Sequence, residues 1–147
     1  MRIAFGADHA GFELKERLVA YVRSKGHEIV DVGTHGLDSV DYPAFGRAAA
    51  QKVLDGEADR AVLVCGTGVG IGMSAGKLPG IRCAMVAEPY SARLARRHND
   101  ANALAIGSRV LGPGSAEMIV DQFLDTGFEG GRHARRVGMI EVPGDSR

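Results

Sequence analysis

Ala61-Val-Leu-Val-Cys65-Gly-Thr-Gly-Val-Gly-Ile-Gly72 carries the decision about fold. Five apolar residues run without a polar break into a segment where every second residue is glycine. An unbroken apolar run of this length is a strand buried on both faces, as in a parallel sheet covered by helices on each side. A glycine-rich turn leading from such a strand into a helix lets backbone N–H groups converge on an anion.

Working outward, the same alternation repeats. Ile3 to Phe5 is a short apolar run, followed by Leu14, Leu18, Tyr21 and Val22 at helical spacing, with Gly26 as the stop. Glu28 to Val32 reads as the second strand, Gly33 to Tyr42 as a loop, and Pro43 as the start of a helix. Phe45, Ala48, Ala49 and Val53 share one face of that helix, and Asp55-Gly56 ends it. Beyond Gly72 a helix is expected to stop near Leu78-Pro79-Gly80. Arg82 to Ala87 reads as strand four, Glu88 to His98 as a helix, and Asn102 to Ile106 as strand five. Ala116, Ile119, Val120, Phe123 and Leu124 mark the last amphipathic helix. The expected architecture is α/β: a three-layer, Rossmann-like fold with a five-stranded parallel sheet.

A chain of 147 residues predicts one domain, 1–147, with a basic tail over about 127–147. Lys plus Arg and Asp plus Glu are both 18, which excludes a globally basic nucleic-acid binder and an acidic disordered tail alike. Cys65 and Cys83 are too few for a secreted disulfide scaffold and have no metal-site spacing, so they read as thiols in a reducing compartment. No stretch approaches the roughly 18 apolar residues of a membrane span. A cytoplasmic protein is expected.

In a sheet of this kind ligands bind at the carboxyl ends of the strands. The residues there are Asp8-His9, Cys65 to Gly72, and Gly107-Ser-Arg109. Two readings of Cys65 stand. It is either a small apolar residue ending a strand, or a base or nucleophile whose thiolate is favoured by a helix N-terminus and nearby amides. Thr67, beside it, can orient either the sulfur or a substrate hydroxyl. A cysteine phosphatase loop would need Arg where Ile71 stands. A dinucleotide fingerprint can be aligned as Gly70-x-Gly72-x-x-Ala75 with Glu88 on the ribose, which keeps a non-catalytic nucleotide-binding module as a remote alternative. Asp8 suits a sugar hydroxyl or a helix N-cap. His9 can contact phosphate in either protonation state. Arg96 and Arg97 read as solvated cations at a helix C-terminus, leaving His98 and Asn99 as the better site candidates. Gly127 to Arg136 is a basic cluster, either solvated surface or a phosphate dock.

Taken together, the chain resembles the ribose-5-phosphate isomerase B family, which also holds the subunits of galactose-6-phosphate isomerase. The resemblance rests on Ile3-Ala-Phe-Gly-Ala-Asp-His9 with Gly11-Phe, Asp31-Val-Gly-Thr34, Asp41-Tyr-Pro43 and Cys65-Gly-Thr-Gly-Val-Gly-Ile71. It continues through Gly80-Ile-Arg82, Glu88-Pro-Tyr-Ser-Ala92, Arg97-His-Asn-Asp100, Gly107-Ser-Arg-Val110 and Glu129-Gly-Gly-Arg-His133.

What it implies is an aldose-ketose isomerase without cofactor or metal, interconverting ribose 5-phosphate and ribulose 5-phosphate through an enediol. A six-carbon 6-phosphate such as allose or galactose 6-phosphate is the alternative substrate. The resemblance puts the catalytic base on Cys65, the ring-opening acid on His98 and the oxyanion loop on Gly66, Gly68, Val69 and Gly70. Sugar contacts fall on Asp8, His9, Tyr42 and Asn99, and phosphate contacts on Arg109, Arg132 and Arg136. Relatives with Ser at the Cys65 position carry a Glu in the next helix. Here Gly72-Met-Ser-Ala-Gly-Lys77 has no carboxylate, which indicates the thiol branch. Gly76 departs from the family's usual Ala-Asn-Lys. The resemblance also implies a homodimer or tetramer with sites completed across the interface, and neither nucleic acid nor membrane as partner.

Overall fold

A computed structural model describes residues 1–141. Five strands, β1 (Arg2–Ala7), β2 (Glu28–Asp31), β3 (Arg60–Cys65), β4 (Cys83–Met85) and β5 (Ala103–Gly107), form one sheet in the order β2-β1-β3-β5-β4. Every pairing is parallel, with Ala7 beside Val64 and Cys65 beside Gly107. The helices are α1 (Phe12–Ser24), α2 (Tyr42–Leu54), α3 (Val69–Gly76), α4 (Pro89–Asn99), α5 (Pro113–Asp125) and α6 (Arg132–Val137). The expected Rossmann-like, five-stranded parallel sheet is the architecture found.

The two faces of the sheet differ in residue size. Ile3, Phe5, Val62, Val64, Leu104 and Ile106 face α1, α4 and α5. Ala4, Ala61, Leu63, Cys65, Ala103 and Ala105 face α2 and α3. Small side chains let a helix approach closely. A Cβ on Gly46 of α2 would lie 2.8 Å from the Ile71 carbonyl oxygen of α3. Cys65 ends its strand on this tightly packed face.

Several sequence expectations need correction. The apolar face of α2 is Gly46, Ala49 and Ala50, with Ala48 exposed, because the close contact with α3 selects the smallest residues. Strand four is cut to three residues at the sheet edge, where only β5 pairs with it. Helix α3 starts at Val69, so the glycine loop proper is only Gly66 to Gly68. The cluster after α5 holds a further helix, α6, entered through Gly130 and Gly131 at positive φ and closed by the His133 and Ala134 amides on the Gly130 and Gly131 carbonyls. Of the tail expected over about 127–147, residues 142–147 lie outside the described residues.

Arg96 is not solvated. It is buried, and its guanidinium donates to Asp100 Oδ1 at 2.8 Å and to the Ala101 carbonyl at 2.6 Å, holding the turn between α4 and β5. Arg97 is exposed as expected, though paired with Glu129. Among the described residues, no helix is long and apolar enough to cross a membrane.

Candidate active site

Strand order reverses between β1 and β3, and in parallel sheets the ligand cleft opens beside such a switch point. Asp8-His9 and Cys65 lie there side by side. The Cys65 sulfur is buried and accepts the Gly68 N–H at 3.1 Å. That bond depends on Gly68. Its φ of 80° is left-handed, and an added Cβ would stand 2.7 Å from the backbone carbon of Ile106, so only glycine brings this amide back onto the sulfur.

Thr67 faces its own loop, its Oγ1 accepting the Val69 N–H at 3.3 Å, so the amide rather than the hydroxyl meets the sulfur. The first amides of an α-helix have no carbonyl inside the helix, and α3 has no side-chain cap. With the Gly68 and Val69 amides engaged, those of Gly70 and Ile71 remain for a developing negative charge beside the thiol. A Cβ on Gly70 would sit 2.7 Å from the Tyr42 ring, which places Tyr42 directly over this helix start.

Asp8 is buried and its Oδ1 accepts the Gly11 N–H at 2.9 Å, shaping the turn into α1. The N-cap of α1 is Gly11 rather than Asp8. His9 Nδ1 accepts the Val40 N–H at 3.2 Å, so the neutral ring presents Nε2–H elsewhere. Behind the 33–41 loop, buried Lys15 pairs with Asp31 at 2.6 Å, and Asp31 accepts the Gly33 N–H at 2.9 Å. Arg109 lies against Gly66, whose Cβ position is 3.4 Å from its guanidinium, while its own amide donates to the Gly66 carbonyl at 3.0 Å. Ser108, one of the residues that follow β5 at this end of the sheet, ties the loops together: its amide donates to the Cys65 carbonyl at 2.9 Å and its hydroxyl to the Ala10 carbonyl at 2.7 Å. A cavity of about 370 Å³ adjoins them, lined by Glu13, Arg17, Ser108, Arg109 and Pro113 among others.

His98 and Asn99 are elsewhere. They end α4, and α4 returns to the amino end of the sheet, where Ala61 donates to the Asn102 carbonyl just before β5. Four residue steps along the strand separate Ala61 from Cys65, about 13 Å of rise, so the two groups occupy opposite ends of the sheet. Helix α6, which carries Arg132 and Arg136, packs on α4, the helix of His98. The His98 and His133 rings stack at 4.2 Å with an interplanar angle of 4°. Glu129 Oε2 is 3.8 Å from His98 Nε2 and accepts from Arg97 Nε at 2.6 Å. The hydrogen bond from Arg97 holds the Glu129 carboxyl below the usual carboxylate range. Burial pushes the His133 imidazole below its usual value, with His98, Arg132 and Arg136 acting the same way. Nothing in local periodicity points to Glu129 and His133, which come together only through the turn at Gly130-Gly131. His98, Glu129 and His133 offer three ligand atoms within 4.8 Å of one another. However, parallel rings aim their lone pairs along parallel lines, and a metal ion needs them to converge.

Two other readings lose their footing. Glu88 accepts the Tyr90 and Ser91 amides at 2.6 and 2.7 Å as the N-cap of α4, and Gly72 is packed against Met85 and Ala105, so the nucleotide fingerprint is helix capping and close packing. Cys83 ends no loop, and burial pushes its thiol up to about 12, which leaves Cys65 as the thiol with chemical surroundings.

A thiol, open amides and a guanidinium thus stand at one end of the sheet, and an imidazole near a helix carrying two arginines at the other. The family model described as ribose/galactose isomerase matches residues 3–140, and the chain belongs to that family. Over 139 residues it is 50% identical to ribose-5-phosphate isomerase B of Escherichia coli K12, covering 95% of this chain and 93% of that one. It superposes with a TM-score of 0.94 and 51% identity on ribose-5-phosphate isomerase B of Clostridium thermocellum, covering 95% of each chain. The corresponding enzyme of Mycoplasma genitalium, solved with bound ribulose 5-phosphate, matches with a TM-score of 0.90 and 40% identity, covering 95% of this chain and 93% of that one.

Proposed function

We propose that this isomerase interconverts D-ribose 5-phosphate and D-ribulose 5-phosphate, in the cytoplasm, at two equivalent sites of a homodimer. The observation that carries the chemistry is the Cys65 sulfur in line with the Gly68 amide at the open start of α3. Cys65, as the thiolate, takes the proton from C2 of the open-chain aldose and returns it to C1, while the proton of the C2 hydroxyl passes to the C1 oxygen so that the carbonyl moves to C2. The enediolate charge that forms between these steps falls on the Gly70 and Ile71 amides, whose preorganisation costs nothing at the moment of reaction. Asp8, His9 and Tyr42 hold the sugar, and Arg109 holds the phosphate with Arg132 and Arg136. His98, with Asn99 beside it, protonates the ring oxygen and opens the furanose. Fixing the phosphate sets C1 and C2 at near-attack distance from the sulfur.

His98, Asn99, Arg132 and Arg136 reach this chemistry from a second chain. A two-fold axis across the strands sets the carboxyl end of one sheet against the amino end of the other and builds two identical sites. The exposed apolar residues Met85 on the edge strand β4, Val69 and Met73 on α3 and Tyr90 on α4 favour a second copy on this side. The test of the reaction presents five- and six-carbon sugar phosphates to the chain with no metal or cofactor added and follows ketose formation. Turnover is expected with ribose 5-phosphate. Turnover of a six-carbon 6-phosphate alone would move the assignment within the family.

A further inference from the structure

His98 sits in the last turn of α4, one residue before a helix end that turns at Asp100 with φ of 46°. A side chain there is free to swing unless something holds it. Two residues do. His133 is the buried residue of the six-residue α6, and its ring is the surface of that helix that meets His98. Its Nε2 is buried and, among the described residues, without a hydrogen-bond partner. An unpaired buried nitrogen is unfavourable, a cost that an apolar side chain of similar shape would avoid if packing were the only demand. Beyond the Nε2 edge of the His98 ring, 3.8 Å away, stands Glu129, fixed in turn by Arg97 and by its own amide on the Arg97 carbonyl at 2.9 Å.

We propose that His133 is a positioning residue for ring opening: a flat aromatic plate that holds the His98 imidazole in one plane while Glu129 fixes its Nε2 edge. This rests on His98 being the ring-opening acid. The charged and titratable groups around the stacked pair are Glu129, which faces both rings, Arg132 and Arg136, which act on His133, and Arg97, which binds Glu129. Protonating His133 would set a second cation against His98 and two arginines, and burial opposes it as well. Protonation of the plate is therefore disfavoured relative to a free imidazole.

The test compares His133→Ala and His133→Phe with His98→Asn as reference. The rate is measured from cyclic ribose 5-phosphate and from ribulose 5-phosphate, which forms no ring with its 5-oxygen phosphorylated. The ring-current shift of the His98 Cε1 proton reports the stack. His133→Ala is expected to lose that upfield shift and about ten- to a hundredfold in kcat/KM from the aldose, as a misplaced acid does, with little change from the ketose. His133→Phe, which gives up no hydrogen bond, is expected to restore both. A folded His133→Ala protein with undiminished aldose rate overturns the proposal. So does a His133→Phe protein that keeps the shift but loses the rate, since the nitrogen and not the plate would then matter. If His98→Asn slows both substrates equally, the ring-opening role of His98 fails, and His133 loses its purpose with it.

Discussion

At the carboxyl end of the sheet, Cys65 is set by backbone: a left-handed Gly68, an amide on sulfur, and the carbonyls of Cys65 and Gly66 bound to the loop after β5. At the amino end, His98 is set by side chains alone, stacked on one residue and edged by another. On the proposed mechanism, backbone and side chains divide the labour. Proton abstraction from carbon needs a thiol and an oxyanion site that do not move, and the strand ends supply rigidity. Ring opening needs a group that meets a sugar carried by the other end, and a helix terminus with a short helix leaning on it supplies reach. A parallel strand about 13 Å long keeps the two apart within one chain.

Breaking the carboxyl end has the largest expected effect. Cys65→Ala should lower kcat by about a hundred- to ten-thousandfold, the usual worth of a positioned base, with sugar-phosphate affinity kept. Stopped-assay kinetics and equilibrium binding check this, and a variant with most of its kcat would remove Cys65 from the chemistry. Breaking the amino end should be selective. His98→Asn is expected to lose about tenfold or more from the cyclic aldose and far less from the ketose, and progress curves from both sides measure the split.

Smaller effects sharpen the contrast through stability. The folded-state value of His133 lies below the usual 6.5, so the unfolded chain binds more protons as pH falls through that value. Stability should therefore be fully present above about 6.5 and decline on acidification, and His133→Phe should remove that part of the decline in urea titrations at pH 7 and pH 5. The smallest effect is expected at Gly76, the last residue of α3, where an added Cβ meets only the Cys83 Cβ at 3.9 Å. Gly76→Ala should stabilise by about 0.4–1 kcal/mol through the unfolded chain, with kcat and KM unchanged.

The sheet was legible because burial on both faces writes strands as unbroken apolar runs, and Ala61 to Cys65 leaves no other reading. The glycine words were legible as a site, but not the division of labour among them. Gly68 turns the amide onto sulfur, Gly70 makes room for Tyr42, and Gly72 lets Met85 close in, which are three different tertiary reasons for one residue type. Arg96 was misread because a cation at a helix terminus and a buried arginine that binds carbonyls look alike in one dimension. The short α6 escaped because six residues carry no usable period. The wide separation of Cys65 from His98 follows from parallel topology once the strands are placed, although neither residue's neighbours hint at it.

In the proposed dimer each active site takes Cys65 from one chain and His98 with its arginines from the other. This sharing is tested most directly by mixing Cys65→Ala with Arg136→Ala subunits after verified exchange. Half of randomly paired dimers are mixed, and each has one site carrying both changes and one carrying neither, so about a quarter of wild-type activity should return. No recovery above the two parents would put Arg136 and Cys65 in the same chain's site and contradict the account.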